Sequence, residues 1–440
     1  MTNLNSSKKT PASALRPLGK AELIAIALGG MIGGGIFSIL GVSVTMVGKA
    51  TPIAIAIGGV LAFFAAYSYA KLAVYYKDEG ATYSFFKKTF MQHKKSTAAI
   101  GWLIVFGYIS TLALYAYTFS TYFSSLFGFT EVWQTKVVAI GVLVFFAIVN
   151  YISVNGMGKI EDLLVYTKIL ILLTISGLFI NKGDFSSFLS TLSSFQIQSS
   201  SLIIVAALTF VAFEGFQLVI HAYEESIDPD KNVPQAIYWA IFLAALIYVV
   251  LSIGAILTIP ENILIRDKEF ALAAGATEIL GPIGFSIVVV GALLATSSAI
   301  NGTLFGASRL MAVIAEDKVF PKILCHRRKG HIPDYAIFLM AFFAIIFILL
   351  GALQSIIEFG SITFIIVSFL MAFSNYKIRD KTQTHSVLAI LAMVFLIVGA
   401  SSILYYEFIH DFKQLLIIIG LYIVLTLSSW IFSRGYVYSE

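Results

Sequence analysis

Charged residues are scarce in this sequence and cysteine is almost absent. Only 12% of the 440 residues are charged, while 59% are hydrophobic and the mean hydropathy is +0.91. A soluble domain carries about 25% charge, so a soluble globular fold is excluded and an integral membrane protein is implied. The single cysteine, Cys325, excludes an internal disulfide framework and a cysteine-built metal centre. None of the six histidines stands with carboxylates at metal-ligand spacing, so neither a metal nor a cofactor is expected. The net charge of +5 is not a nucleic-acid signal, because the basic residues sit at the ends of apolar stretches. Polar segments are short, which leaves no soluble domain to house an active site. Met1 to Lys20 is polar, shows no signal-peptide pattern with a cleavage site, and reads as a disordered cytoplasmic tail.

What is present is a series of apolar stretches, at about 21–48, 52–75, 97–126, 135–155, 160–180, 201–222, 234–258, 282–315, 332–351, 354–373, 386–404 and 412–433. Most are about 20 residues long, enough to cross a hydrocarbon core of about 30 Å as helices, and they lack the strict alternation of a barrel. Twelve spans place both termini on one side. That side gathers 18 lysines and arginines, among them Lys8, Lys9, Arg16, Lys20, Lys77, Lys87, Lys88, Lys329 and Arg434, against six opposite: Lys49, Lys136, Lys182, Arg266, Lys268 and Lys413. Basic loops stay in the cytoplasm. The expectation is therefore a multi-pass, all-α protein of the cell membrane with twelve transmembrane helices and both termini inside.

The first span contains Gly29-Gly30-Met31-Ile32-Gly33-Gly34-Gly35-Ile36-Phe37, with five glycines in seven residues. Each glycine costs a helix about 1 kcal/mol relative to alanine, so a break is expected near Ile32 to Gly34. Backbone groups freed there cannot face hydrocarbon and must line an enclosed site or bind something polar. On this reading a side chain at Gly34 would harm binding more than folding. The alternative is that the glycines only let helices pack closely. The sixth span repeats the pattern, with Phe210-Val211-Ala212-Phe213-Glu214-Gly215-Phe216 placing a carboxyl and a glycine in an apolar run. Two interrupted spans at matching places point to inverted repeats with a site between the breaks. The halves would be 21–180 and 201–373, followed by two extra helices over 386–433.

These two motifs, with Glu224-Glu225-Ser226-Ile227-Asp228-Pro229-Asp230-Lys231-Asn232-Val233-Pro234 after the second, resemble the amino acid, polyamine and organocation (APC) transporter superfamily. Ser297-Ser298-Ala299-Ile300-Asn301 and Glu316-Asp317-Lys318-Val319-Phe320-Pro321 in and after span eight extend the resemblance over nearly the whole chain. It implies a five-plus-five inverted repeat with helices one and six broken, and secondary active transport by alternating access of an amino acid or related amine. The substrate carboxylate would then lie on the backbone of Ile32, Gly33, Gly34 and Gly35, at the start of a half-helix whose N–H groups and dipole favour anions. Its ammonium would lie near carbonyls exposed around Gly29 to Ile32 and Phe210 to Phe213. Phe210, Phe213 and Phe216 are candidates to close the site, and Tyr108 is either a hydroxyl donor to it or a packed aromatic.

Lys168 lies eight residues into the fifth span, about 12 Å along a helix, too deep for easy snorkelling. The resemblance implies a place where some proton-coupled members carry a lysine and sodium-coupled relatives bind sodium. Gly29, Ile32, Ser297 and Ser298 are its expected partners. It is either a proton carrier or a charged pin between spans one, five and eight. Glu214 has three candidate roles: holding a cationic side chain, sharing a proton with Lys168, or capping freed N–H groups. Gln217 stands where some family exchangers carry glutamate, so their acid sensing does not transfer. Asp78 to Lys95, with Tyr83, Phe85, Phe86 and Phe90 among lysines, reads as a headgroup helix. Lys71 and Arg309 read as snorkelling residues, Glu358 as solvated near an outer end, and His221 as a packed or capping residue.

The partners implied are an amino acid or amine, protons and membrane lipid. The alternatives are an exchanger without proton coupling or, from other classes, a channel or an intramembrane enzyme. A channel would need polarity along a continuous pore, and an enzyme would need a convergent nucleophile and base; these spans offer polarity mainly at one depth.

Overall fold

The computed structural model describes residues 18–433 apart from 79, 130, 153–156, 184–198, 268–269 and 329–331, with backbone alone for 157–163 and 199. Lys8, Lys9 and Arg16 of the N-terminal tail, and Lys268, Lys329 and Arg434, lie outside the described residues. The described chain is helical, with two isolated β-bridges, Leu18 with Ser226 and Arg328 with Ile332.

The helices are α1 (Lys20–Met31), α2 (Gly34–Val47), α3 (Thr51–Tyr76), α4 (Ala81–Thr89), α5 (Lys94–Phe127), α6 (Val132–Ile152), α7 (Met157–Lys182), α8 (Ser199–Leu208) and α9 (Phe210–Phe213). A 3₁₀ segment over Phe216–Ala222 follows. Then come α10 (Pro229–Thr258), α11 (Glu261–Arg266), α12 (Ala271–Glu316), α13 (Asp334–Leu350), α14 (Leu353–Lys377), α15 (Arg379–Thr382), α16 (Ser386–His410) and α17 (Phe412–Phe432). Ten stretches among the described residues are long and apolar enough to cross a membrane. One of them, Gly34–Tyr76, runs α2 and α3 together across a 3₁₀ turn at Gly48–Ala50, and Asp334–Leu350 is a shorter apolar helix of 17 residues.

Small residues set how closely the helices approach. On α10, Ala236, Ala240, Ala244, Tyr248, Leu251 and Ala255 form one buried stripe at spacings of three and four, facing α1, α3 and α7. Trp239, Phe242 and Leu246 on the other side are about half exposed and point away from the bundle. The stripe therefore aims Tyr248 into the bundle. Helix α12 bends at Gly281, where φ is +67° and the next residue is Pro282. Glycine tolerates the left-handed region, and proline disfavours helical geometry in the residue before it.

One end of the bundle collects the basic loops and pairs them. Lys77 binds Asp230 at 2.7 Å, and Lys87 binds Asp317 at 2.6 Å. The Tyr83 hydroxyl also donates to Asp317, at 2.9 Å. Lys71 donates to the Gln383 carbonyl at 3.1 Å, and Lys20 to Gln235 at 3.1 Å. At the opposite end, Lys136 caps the Leu349 carbonyl at 2.9 Å. Two sequence expectations change here. Tyr83, Phe85, Phe86 and Phe90 are buried, not in headgroups, because α4 tucks against α3, α5 and α14 with its lysines turned outward. Glu358 is 1% exposed, not solvated, because α16 covers it.

Asp78 fastens the start of α4. Burial pushes its carboxyl up, but bonds from Lys88, from the Ser84 hydroxyl at 2.6 Å and from the Gly80 N–H at 2.6 Å together hold it below the usual carboxylate range. A lowered folded-state value gives stability that is present above the unfolded value and lost as pH falls. Asp78→Asn is therefore expected to flatten the decline in thermal stability of the purified protein between about pH 5 and pH 3. The check is thermal unfolding of both proteins across that range.

Candidate functional site

Helix α1 ends at Met31 and α2 starts at Gly34. Between them Ile32 (φ −81°, ψ 82°) and Gly33 (φ −122°, ψ −146°) are not helical. No side chain caps the start of α2, so the first N–H groups of that half-helix have no internal partner. The second break lies at Glu214, which is extended (φ −69°, ψ 137°), and Gly215, at φ +122°. The two breaks touch. A Cβ on Gly215 would come 2.5 Å from the carbonyl carbon of Gly30, so only glycine allows both this backbone angle and this approach.

The groups freed by the breaks are taken up by side chains from other helices. Lys168, on α7 and fully buried, donates from Nζ to the Gly29 carbonyl at 2.8 Å. The Tyr248 hydroxyl on α10 lies 2.8 Å from the Met31 carbonyl and 3.1 Å from that of Ala212, so one donor bridges both broken helices. Gln217 accepts from the Gly215 N–H at 3.1 Å, and its amide donates to Glu214 and, at 2.9 Å, to the Tyr108 hydroxyl. Glu214 is 4% exposed, and its second oxygen, Oε2, makes no hydrogen bond among the described residues.

Around this polar layer the walls are aromatic and small. Phe210, Phe213 and Phe216 are fully buried. Phe213 packs on Tyr248 with centroids 5.4 Å apart, and Phe216 packs edge-on against Tyr69 at 5.2 Å. Glycines 33 to 35 are closely covered. Added Cβ atoms would meet Ala299 Cβ at 2.7 Å from Gly33, Thr118 Oγ1 at 2.9 Å from Gly34, and Ala212 at 3.1 Å from Gly35. Gly34 thus serves packing as well as exposing amides, and a valine there would strain the fold along with any ligand.

The structure brings Gly29, Ile32, Gly33, Gly34, Gly35, Phe210, Phe213, Glu214, Tyr108 and Lys168 into one buried layer around the breaks. It does not join Ser298 to Lys168, since Ser298 Oγ is buried without a hydrogen-bond partner among the described residues. Ser297, one position before, is half-buried. Tyr248 was missed from sequence. A polar tip at mid-helix was the available signal, and 21 tyrosines drown it. Gln217 was noted only for the glutamate it replaces, whereas it joins Glu214, Gly215 and Tyr108. Among the described residues no group of three histidine, cysteine, aspartate or glutamate side chains is placed to hold a metal.

The sequence profile of the family described as "Amino acid permease" matches residues 18–426. The chain is 28% identical over 312 residues to the inner membrane transport protein YbaT of Escherichia coli, covering 70% of this chain and 71% of that one. It is 25% identical over 357 residues to the lysine-specific permease LysP of the same organism, covering 76% and 71%. The fold is similar to the crystal structure of a manganese transporter from Eremococcus coleocola, with a TM-score of 0.65 at 14% identity over 99% of this chain and 98% of that one.

Removing the bridging hydroxyl takes its donor from the Ala212 carbonyl and leaves that of Met31 with the Gly33 N–H alone, at 2.9 Å, at a cost of about 1–3 kcal/mol. Tyr248→Phe is thus expected to lower thermal stability by that amount and to loosen both breaks together, read by thermal unfolding and by amide exchange at Met31–Gly33 and Ala212–Gly215.

Proposed function

The chain belongs to the amino acid permease family, and we propose that it is a proton-coupled amino acid transporter of the cell membrane working by alternating access. Family membership and the named permeases among its relatives support membrane transport of amino acids. The finer reading rests on one observation, the fully buried Lys168 ammonium 2.8 Å from the Gly29 carbonyl. At that point the end of the first half-helix presents a partial negative charge, which would otherwise suit a small inorganic cation. A lysine in its place fills the position with a charge that can leave only as a proton.

In this account the helices make twelve crossings, with α1 and α2 as one broken span and α8, α9 and the 3₁₀ segment as another. The five spans over 21–180 and the five over 201–373 are related as inverted repeats, and the basic end, with both termini, faces the cytoplasm. The substrate carboxylate is bound by the uncapped amides of Gly34 and Gly35 at the start of α2, since the Gly33 N–H already donates to the Met31 carbonyl at 2.9 Å. Its ammonium lies toward the break carbonyls and Glu214 Oε2. Neutralising Lys168 would weaken its hold on Gly29 and so ease movement of α1 away from α7.

Uptake into proteoliposomes across a panel of amino acids and polyamines, with proton and sodium gradients imposed separately, tests the proposal. Accumulation driven by the proton gradient is expected, and Lys168→Ala is expected to abolish it. Strict sodium dependence, or an unchanged pH profile in Lys168→Ala, would contradict it and leave the lysine as a pin. Glu214→Gln keeps the side-chain shape, and is expected to lose basic substrates selectively if the carboxylate reads a second cation.

A further inference from the structure

Outside the polar layer of the breaks, α14 and α16 bury a second pair of acids. Glu358 lies five residues into α14 and Glu407 three residues before the end of α16. Both are 1% exposed, and their carboxyl groups lie near enough to act on each other. Glu358 Oε1 accepts from Gln354 Nε2 at 2.8 Å. The remaining Glu358 oxygen, Oε2, and Glu407 Oε1 are buried with no partner among the described residues. Other groups acting on the pair are the Tyr406 hydroxyl, His410 and Asp411 from α16 and its end, and the Gln414 amide from α17. No lysine or arginine among the described residues bonds to either carboxyl.

Two ionised carboxylates in contact offer only acceptors and repel each other, so the two orphaned oxygens cannot satisfy one another. A single proton resolves this. The acid that carries it donates to the other carboxylate, and one hydrogen bond accounts for both unpartnered atoms. We propose that Glu358 and Glu407 form a proton-binding site in which one proton is shared between the two carboxyls and fastens α16 to α14. Gln354 holds Glu358 in place for the bond. The exposed His410 lies one turn beyond Glu407, and its ring packs on Tyr406. This site is separate from Lys168 and owes nothing to substrate binding.

The test is infrared difference spectroscopy of the purified protein in lipid nanodiscs, titrated from neutral to alkaline pH, with thermal stability measured on the same samples. A protonated-carboxyl C=O band is expected to vanish as pH rises, with stability falling in the same range, because the proton that joins the helices is removed. Glu358→Gln and Glu407→Gln should each lose that band and the alkaline fall in stability, since an amide replaces the proton as the donor. Glu358→Ala should lose the band but stay destabilised at every pH. If neither glutamine variant folds, the wild-type protein still decides. At fixed pH, sodium, potassium or calcium should leave its band and stability unchanged. An alkaline profile equal to wild type in the glutamine variants, or a band that disappears when one of those cations is added, would overturn the proposal.

Discussion

Everything at the centre of this molecule depends on a backbone problem: a helix broken inside hydrocarbon must have its freed N–H and C=O groups satisfied within the protein. The chain breaks two helices at one depth and sets the breaks in contact, with Gly30 against Gly215. It then recruits one polar tip from each of several neighbours. Lys168 takes Gly29, Tyr248 takes Met31 and Ala212, and Gln217 takes the Gly215 amide. Among the described residues, the groups left there without a protein partner include the first amides of α2, one oxygen of Glu214 and the Ser298 hydroxyl. Donors for an anion and an acceptor for a cation, a short distance apart in chain contact, match the two ends of an amino acid.

The polar layer also explains the helix packing around it. Small residues on α10 and α12 allow α1 to be gripped from both sides, and the outer surface of α10 carries the bulky aromatics Trp239 and Phe242. Because glycines 33 to 35 are closely packed, the proposed binding and the stability of the fold would share the same atoms. A site built this way must move to admit its ligand, and the hydrogen bonds that bridge α1 to α7 and α10 are the ones such a movement must exchange.

Residues that contradict their surroundings were legible in the sequence. A glycine cluster, a lysine and a glutamate inside apolar runs each demand a reason, and the structure sets Lys168 against the Gly29 carbonyl that the sequence reading named for it. Residues that agree with their surroundings were not legible. Tyr248 looks like one more aromatic on a lipid-exposed helix until α1 and α9 bring two carbonyls to it. Glu358 sits where a helix end suggests water, and only the return of the chain at Glu407 buries it. Phe85 and Phe86 among lysines suggest headgroups because local composition cannot show that α4 turns inward. In each case the deciding contact comes from a distant part of the chain, where periodicity and composition carry no information.

The central claim is that the two touching breaks are where the transported amino acid binds. Amide hydrogen exchange of the protein in nanodiscs, with and without the amino acid selected by uptake, tests it most directly. The account predicts protection concentrated at Ile32–Phe37 and Phe213–Leu218, with little change at the end cavity of about 310 Å³ bounded by Gly48, Lys49 and Glu261. Protection at that end cavity with unchanged exchange at both breaks would contradict it.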